Sequence, residues 1–162
     1  MKEIINVATG EVKIGDANSV LVSYGLGSCI AVAAIDLSKH TGALAHIMLP
    51  GKAPEKETQY KTKYAVDAID KILQLLQLDK GNTNNVRVCL VGAGNVLKKK
   101  DDTICDSNIQ SVLTILNDLK IKISAKSLGG TKRRTIRFDT EKGEVFFTEG
   151  ESRNMLLKEW YK

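Results

Sequence analysis

Two residue types that can do nucleophilic chemistry together, Cys29 and His46, occur close to each other in this sequence. Cys29 follows the glycine-rich stretch at residues 25–27 and begins an apolar run, and His46 lies inside a second apolar run. A thiol with a pKa of roughly 8.5 is mostly protonated at neutral pH, and an adjacent imidazole can draw off its proton. The pair would therefore supply a nucleophile and its base.

A hairpin is the element that would bring the two side chains together. If its turn lies within "LSKHTG", residues 37–42, outward pairing puts His46 opposite Cys29 or a residue shortly after it. Side-chain alternation then places Cys29 on one face with Ala31 and Ala33. Two small alanines beside the thiol would leave room for a substrate group.

Three further residues could support this chemistry. The hydroxyl of Ser23 could hold the second imidazole nitrogen and so fix the tautomer of His46. Glycines near Cys29 permit positive φ angles, so backbone N–H groups around Gly27 and Ser28 could face a developing oxyanion.

The pattern alone leaves a second interpretation open. Free cysteine is among the most buried residue types, and a histidine in an apolar strand is more often a core residue than a catalyst. The other two cysteines, Cys89 and Cys105, are predicted to be structural, and His40 in the polar turn to be solvated. The Gly92-Ala93-Gly94 stretch lacks a complete nucleotide-binding motif.

Hydrophobic periodicity predicts the order strands, helix, strand, helix, strands, in one domain over residues 1–162. The first 50 residues carry short alternating segments, and Gly81-Asn82 is predicted to end the first helix. Asp106 or Ser107 is a candidate N-cap of the second helix, and Glu141 to Gly143 a hairpin turn. The fold class is therefore α/β, with helices packed on a mixed sheet.

Charge and cysteine usage narrow the function classes. The formal net charge is +5, and dense basic clusters occur at residues 98–100 and 132–134. No aromatic residues interleave with either cluster, so a solvated face or an acidic protein partner is favoured over nucleic acid. No signal sequence or membrane-spanning stretch is recognised, and no CxxC pair suggests zinc or a dithiol. We expect a cytoplasmic protein with reduced thiols.

The residues then resemble a known family. "GLGSCIAVAAID" followed by "GALAHIMLP" is similar to the signature of the CheD family, the chemoreceptor glutamine deamidases of chemotaxis. The similarity continues, in order, through "KYAVDAI", "GAGN", "SNIQSVLTIL" and "GGTKRRTIRFDTEKGEV". Two departures stand out: Ser23 takes the place of the family's usual threonine, and "KYAVD" that of its usual "KYAD".

The resemblance implies a layered α/β sandwich of mixed β-sheets flanked by helices, similar to the catalytic domain of bacterial deamidating toxins. It implies a Cys29–His46 dyad completed by Ser23, and hydrolysis of receptor glutamines to glutamate through a thioester, without cofactor or metal. Implied partners are chemoreceptor cytoplasmic helices and a CheC-type phosphatase, with the protein a monomer or a heterodimer with that phosphatase, at receptor arrays and without membrane insertion. The alternative is a weakly catalytic or non-catalytic module that regulates the phosphatase and the receptors.

Overall fold

The computed structural model describes residues 1–161, and within them ten strands and two α-helices follow in the predicted order. The strands are β1 (Glu3–Asn6), β2 (Val12–Ile14), β3 (Ser19–Leu26), β4 (Ile30–Asp36), β5 (Thr41–Ile47), β6 (Val86–Gly92), β7 (Lys122–Leu128), β8 (Arg134–Asp139), β9 (Glu144–Glu149) and β10 (Met155–Glu159). The helices are α1 (Ala65–Leu75) and α2 (Ile104–Asp118), and a short 3₁₀ helix spans Lys61–Lys63.

The strands form two mixed sheets. The first sheet has the order β1-β3-β8-β9-β10, in which only the β1–β3 pair is parallel. The second has the order β2-β5-β4-β6-β7, in which only β6–β7 is parallel. Two mixed sheets with helices make the layered α/β sandwich that the family resemblance implied, where the pattern of elements predicted one mixed sheet.

Strand β4 lies at the centre of the second sheet and is buried along its whole length, because both of its faces are covered. Ile30 and Val32 belong to the core that this sheet forms with the helices. Ala31 and Ala33 point to the opposite face and belong to the core between the two sheets. The layers are therefore first sheet, second sheet, helices, and an uninterrupted apolar strand fits the middle layer.

The hairpin predicted between Cys29 and His46 is confirmed. Strands β4 and β5 pair antiparallel from Ile30↔Ile47 to Asp36↔Thr41, so the turn lies within residues 37–40. The turn predicted at Glu141 to Gly143 is confirmed as well, since β8 and β9 pair across it.

The predicted helix ends need correction. Helix α1 ends at Leu75, well before Gly81, because Gln77 takes a left-handed conformation with φ of 58°. The N-cap of α2 is Thr103 and not Asp106 or Ser107, which lie inside the helix. Among residues 1–161, no helix is both long enough and apolar enough to cross a bilayer.

Candidate active site

Cys29 and His46 lie on the same face of the second sheet. His46 pairs with Ala31, so both side chains point into the space between the two sheets. Cys29 precedes Ala31 by two positions and packs against the same inter-sheet core. Cys29 is therefore two residues along the chain from the cross-strand partner of His46, and both residues border the inter-sheet core.

The imidazole of His46 is held by a backbone carbonyl. Its Nδ1 atom lies 3.1 Å from the carbonyl oxygen of Val7, in a side chain that is only 4% exposed. A carbonyl oxygen can only accept, so Nδ1 carries the proton of the neutral ring. The other nitrogen, Nε2, then has a free lone pair and can act as a base.

Ser23 contacts the same carbonyl rather than the imidazole. Its hydroxyl, in a side chain with no exposed surface, donates to the Val7 carbonyl oxygen at 2.7 Å. The sequence predicted that this hydroxyl bonds the His46 imidazole directly. In the structure, the hydroxyl and the imidazole instead both bond the Val7 carbonyl oxygen. The reason is the crossing of the chain from β1 in the first sheet to β2 in the second, which brings Val7 between Ser23 and His46.

The turn at residues 27–29 has its carbonyl groups bonded and its N–H groups free. The carbonyl oxygens of Gly27 and Cys29 accept from the N–H groups of Gly94 and Ala93, at 2.8 and 2.7 Å. Within residues 1–161, the N–H groups of Ser28 and Cys29 have no acceptor. Free, adjacent backbone donors beside a thiol are what an oxyanion site needs.

The segment from Gly92 to Gly94 packs against this turn and supplies its hydrogen-bond donors. Gly92 has a φ of +124°, and a Cβ atom there would overlap the carbonyl oxygen of Cys29. Only glycine permits this close approach of two backbones. The Gly-Ala-Gly stretch, weak as a nucleotide motif, therefore has a structural reason at this place.

Burial keeps both members of the pair neutral. It raises the pKa of the Cys29 thiol and lowers the pKa of the His46 imidazole, in each case because the charged form loses solvation. The resting site thus holds a thiol and a neutral imidazole rather than a thiolate–imidazolium ion pair.

Cys29 lies at the wall of a cleft of about 290 Å³. The loop at residues 94–97 and the first turn of α2 line it together with Lys99, Arg133 and the turn at residues 27–29. The expectation that Ala31 and Ala33 leave room for substrate is wrong, since both are fully buried between the sheets. Access to Cys29 is from the side of α2 and the 94–97 loop.

The remaining thiols differ in position. Cys89 lies in the inter-sheet core, where burial raises its pKa to about 12. Cys105 is 4% exposed and lines the cleft. Burial and then a hydrogen bond with Asp102 raise its pKa to about 12. Both thiols are therefore protonated and poor nucleophiles at neutral pH.

His40 is exposed, as predicted, and its ring stacks on that of Tyr161.

The basic clusters divide between surface and interior. Lys98 to Lys100, Lys132 and Arg133 are exposed, and two of them line the cleft. Arg134 is 4% exposed and donates to the carbonyl oxygens of Gly92 and Gly129 at 3.1 and 2.7 Å. The prediction that Arg134 belongs to a solvated basic face is wrong, because its guanidinium is buried and bonds backbone carbonyls behind the cleft.

Sequence reasoning did not single out Asn108, which is fully buried beside the turn. It lies among Cys105, Val112 and Leu116 on the buried stripe of α2. A polar residue on an apolar helical stripe was the available signal.

Among residues 1–161, no group of histidine, cysteine and acidic side chains has the arrangement of a metal site.

The chain is similar in sequence to one known protein family. The profile of the family described as CheD chemotactic sensory transduction matches residues 48–149. A probable chemoreceptor glutamine deamidase CheD of Chlorobium luteolum is 35% identical over 153 residues, which cover 94% of this chain and 76% of that protein. The chemoreceptor glutamine deamidase CheD of Thermotoga maritima is 29% identical over 160 residues, covering 98% and 99%.

A third relative, a probable chemoreceptor glutamine deamidase CheD of Clostridium kluyveri, is 32% identical over 146 residues, covering 83% of this chain and 90% of its own length. The profile match begins after His46, but an alignment over 98% of the chain includes both candidate residues. With a profile over more than half of its length and a relative at 35% identity over nearly all of it, this chain belongs to the CheD family.

Proposed function

We propose that this protein is an amide hydrolase that converts glutamines of chemoreceptors to glutamate, with Cys29 as nucleophile and His46 as base. The names of its relatives supply the reaction and the substrate. The observation that carries the assignment of residues is the Nδ1–H of His46 bonded to Val7, which leaves Nε2 as a base on the face shared with Cys29. The proposal takes residues 1–162 as one deamidase domain.

The first half of the reaction forms a thioester. The Cys29 sulfur attacks the side-chain carbonyl carbon of glutamine while its proton passes to Nε2 of His46. Since burial holds both groups neutral, the thiolate forms only as the carbon–sulfur bond forms. His46 then gives the proton to the departing nitrogen, the carbon–nitrogen bond breaks and ammonia leaves.

The second half regenerates the enzyme. A water molecule attacks the thioester carbon and gives a proton to His46, the carbon–sulfur bond breaks, and the thiol is re-formed as glutamate is released. Both halves pass through a tetrahedral oxyanion. Its donors are the free N–H groups of the turn at residues 27–29, including that of Ser28.

Ser23 acts through Val7 in this proposal. Two donors on one carbonyl oxygen fix its position, and the carbonyl in turn fixes the ring and tautomer of His46. Every step is carried by side chains and backbone of this chain, so the proposal requires no metal or organic cofactor.

Lys99 and Arg133 line the cleft with a single acidic residue, Asp102, and we call the two cations its basic rim, whose excess positive charge suits an acidic substrate. Receptor cytoplasmic helices of acidic character would be drawn to it by charge, and the net charge of +5 acts in the same direction. Action at receptor arrays in the cytoplasm and a heterodimer with a CheC-type phosphatase remain predictions from the sequence. The alternative of a non-catalytic regulator is not favoured by the relatives, which are named as deamidases.

Mass spectrometry of a purified receptor cytoplasmic fragment tests the proposal. Incubation with the wild-type protein should convert specific glutamines to glutamate, and Cys29→Ala should abolish the conversion. Cys89→Ala is the matched control, because it removes a thiol of the inter-sheet core and should leave conversion intact. Folded wild-type protein that leaves the glutamines unchanged would contradict the proposed activity.

A further inference from the structure

The amide side chain of Asn108 joins the two segments that carry the proposed catalytic pair. Its Nδ2 donates to the carbonyl oxygen of Ser28 at 2.9 Å and to that of Met48 at 3.1 Å. Ser28 is the residue before Cys29, and Met48 lies two residues after His46. One helix side chain therefore bonds both strand ends at the position where the thiol lies.

This bond replaces a missing part of the sheet ladder. The pairing of β4 with β5 stops at Ile30↔Ile47, and the chain diverges beyond it. The Ser28 and Met48 carbonyls would otherwise lack a strand partner in a region that α2 covers. Both hydrogens of one amide group satisfy them.

The bond to Ser28 also fixes the direction of the Cys29 N–H group. In a trans peptide the C=O of one residue and the N–H of the next point in opposite directions, and residues 1–161 contain no cis peptide. With its oxygen held on Asn108, the Ser28–Cys29 peptide must present the Cys29 N–H away from that side chain. Like the N–H group of Ser28, this N–H group has no acceptor among residues 1–161.

A purely structural role explains Asn108 less well. The side chain has no exposed surface, and within residues 1–161 its Oδ1 atom is buried without a hydrogen-bond partner. A half-satisfied buried amide costs stability that an apolar residue of the same shape would not. The other buried residues of α2 are Cys105, Val112 and Leu116, so an apolar side chain at this position would match the rest of the stripe.

We propose that Asn108 is a positioning residue for catalysis, which holds the Ser28–Cys29 peptide so that the Cys29 N–H group can donate to the oxyanion of the tetrahedral intermediate. It acts through the backbone and does not touch the substrate. The inference rests on the proposed deamidase function.

Two reactions of the same thiol separate this role from general structural support. Deamidation forms an oxyanion, whereas alkylation of Cys29 by iodoacetamide displaces iodide at a saturated carbon and forms none. Asn108→Leu, which keeps the volume and removes both donors, should lower kcat for receptor glutamines by about 10²-fold, as loss of one oxyanion donor does. KM and the alkylation rate of Cys29, followed by peptide mass spectrometry, should stay near their wild-type values.

Asn117→Leu makes the same substitution at an exposed position of α2 and should change neither reaction. If Asn108→Leu does not fold, Asn108→Ala removes both donors without adding bulk, so the same comparison applies. A kcat within threefold of wild type, or deamidation and alkylation lost in equal proportion, would overturn the proposal. Wild-type protein that deamidates nothing overturns the proposed function and this inference together, whereas active wild type with an equally active variant overturns only the inference.

Discussion

Ser23→Ala tests whether the serine hydroxyl acts on His46 directly or through the Val7 carbonyl. The substitution removes a 2.7 Å hydrogen bond in a side chain with no exposed surface. Since the Val7 oxygen keeps its bond from His46, no group is left unpaired. The loss should therefore equal the net value of one hydrogen bond, about 1 kcal/mol in the free energy of unfolding.

The effect on catalysis follows from the same figure. If the whole 1 kcal/mol is also lost from the transition state, kcat falls by about fivefold. A hydroxyl that bonded the imidazole directly and took part in proton transfer would be worth about 10²–10⁴-fold instead. The assay is the rate of glutamate formation in a receptor fragment at saturating substrate, with urea unfolding measured on the same preparations.

Ser19→Ala is the matched control on the same strand. Ser19 is 2% exposed, its hydroxyl donates to Asp16 at 3.0 Å, and it lies at the opposite end of β3 from the turn at residues 27–29. It should lose a similar amount of stability and keep its full kcat. A loss of more than a hundredfold in kcat for Ser23→Ala would refute the indirect role, and unchanged stability and kcat would refute the importance of the bond.

Three other outcomes are expected. Because burial raises the pKa of the Cys29 thiol, its alkylation rate should keep rising above a pH of about 8.5, and a plateau near neutral pH would instead indicate an ion pair. Gly92→Ala places a Cβ atom against the Cys29 carbonyl oxygen, so it should lower the free energy of unfolding clearly more than Gly129→Ala does. Gly129 has a φ of +81° at an open site, where a Cβ atom costs about 1–2 kcal/mol of strain. Equal losses in urea unfolding would contradict the contact between Gly92 and Cys29. Double charge reversal, Lys99→Glu with Arg133→Glu, should raise KM for an acidic receptor fragment at low salt by about 10-fold, less as salt is added, and an unchanged KM would argue against the basic rim.

Local patterns were enough to predict the strands that hold the proposed pair. Alternation in β4 and β5 and a polar turn between them fix the hairpin, which places His46 opposite Ala31, two residues after Cys29. The layered α/β architecture followed from the order of elements and from the family resemblance. Strand β10 was missed, because a five-residue segment near the end of the chain carries little periodicity.

Local sequence patterns could not predict contacts between segments that are distant along the chain. The Val7 carbonyl reaches His46 across 39 residues of chain, and Asn108 reaches Ser28 across 80. Each depends on how two layers meet rather than on any local propensity. The same holds for Arg134, whose burial was hidden within a run of basic residues that otherwise face solvent.

In the proposed reaction, glutamine passes through a thioester on Cys29 with His46 as proton carrier. Trapping with hydroxylamine tests it most directly, because this nucleophile competes with water for a thioester and leaves a hydroxamate on the receptor glutamine. We expect hydroxamate at the same positions that become glutamate. Its amount should rise with hydroxylamine concentration, and it should be absent with Cys29→Ala and with His46→Ala. Glutamate formation that continues with Cys29→Ala, or that yields no hydroxamate with the active wild-type protein, would contradict it.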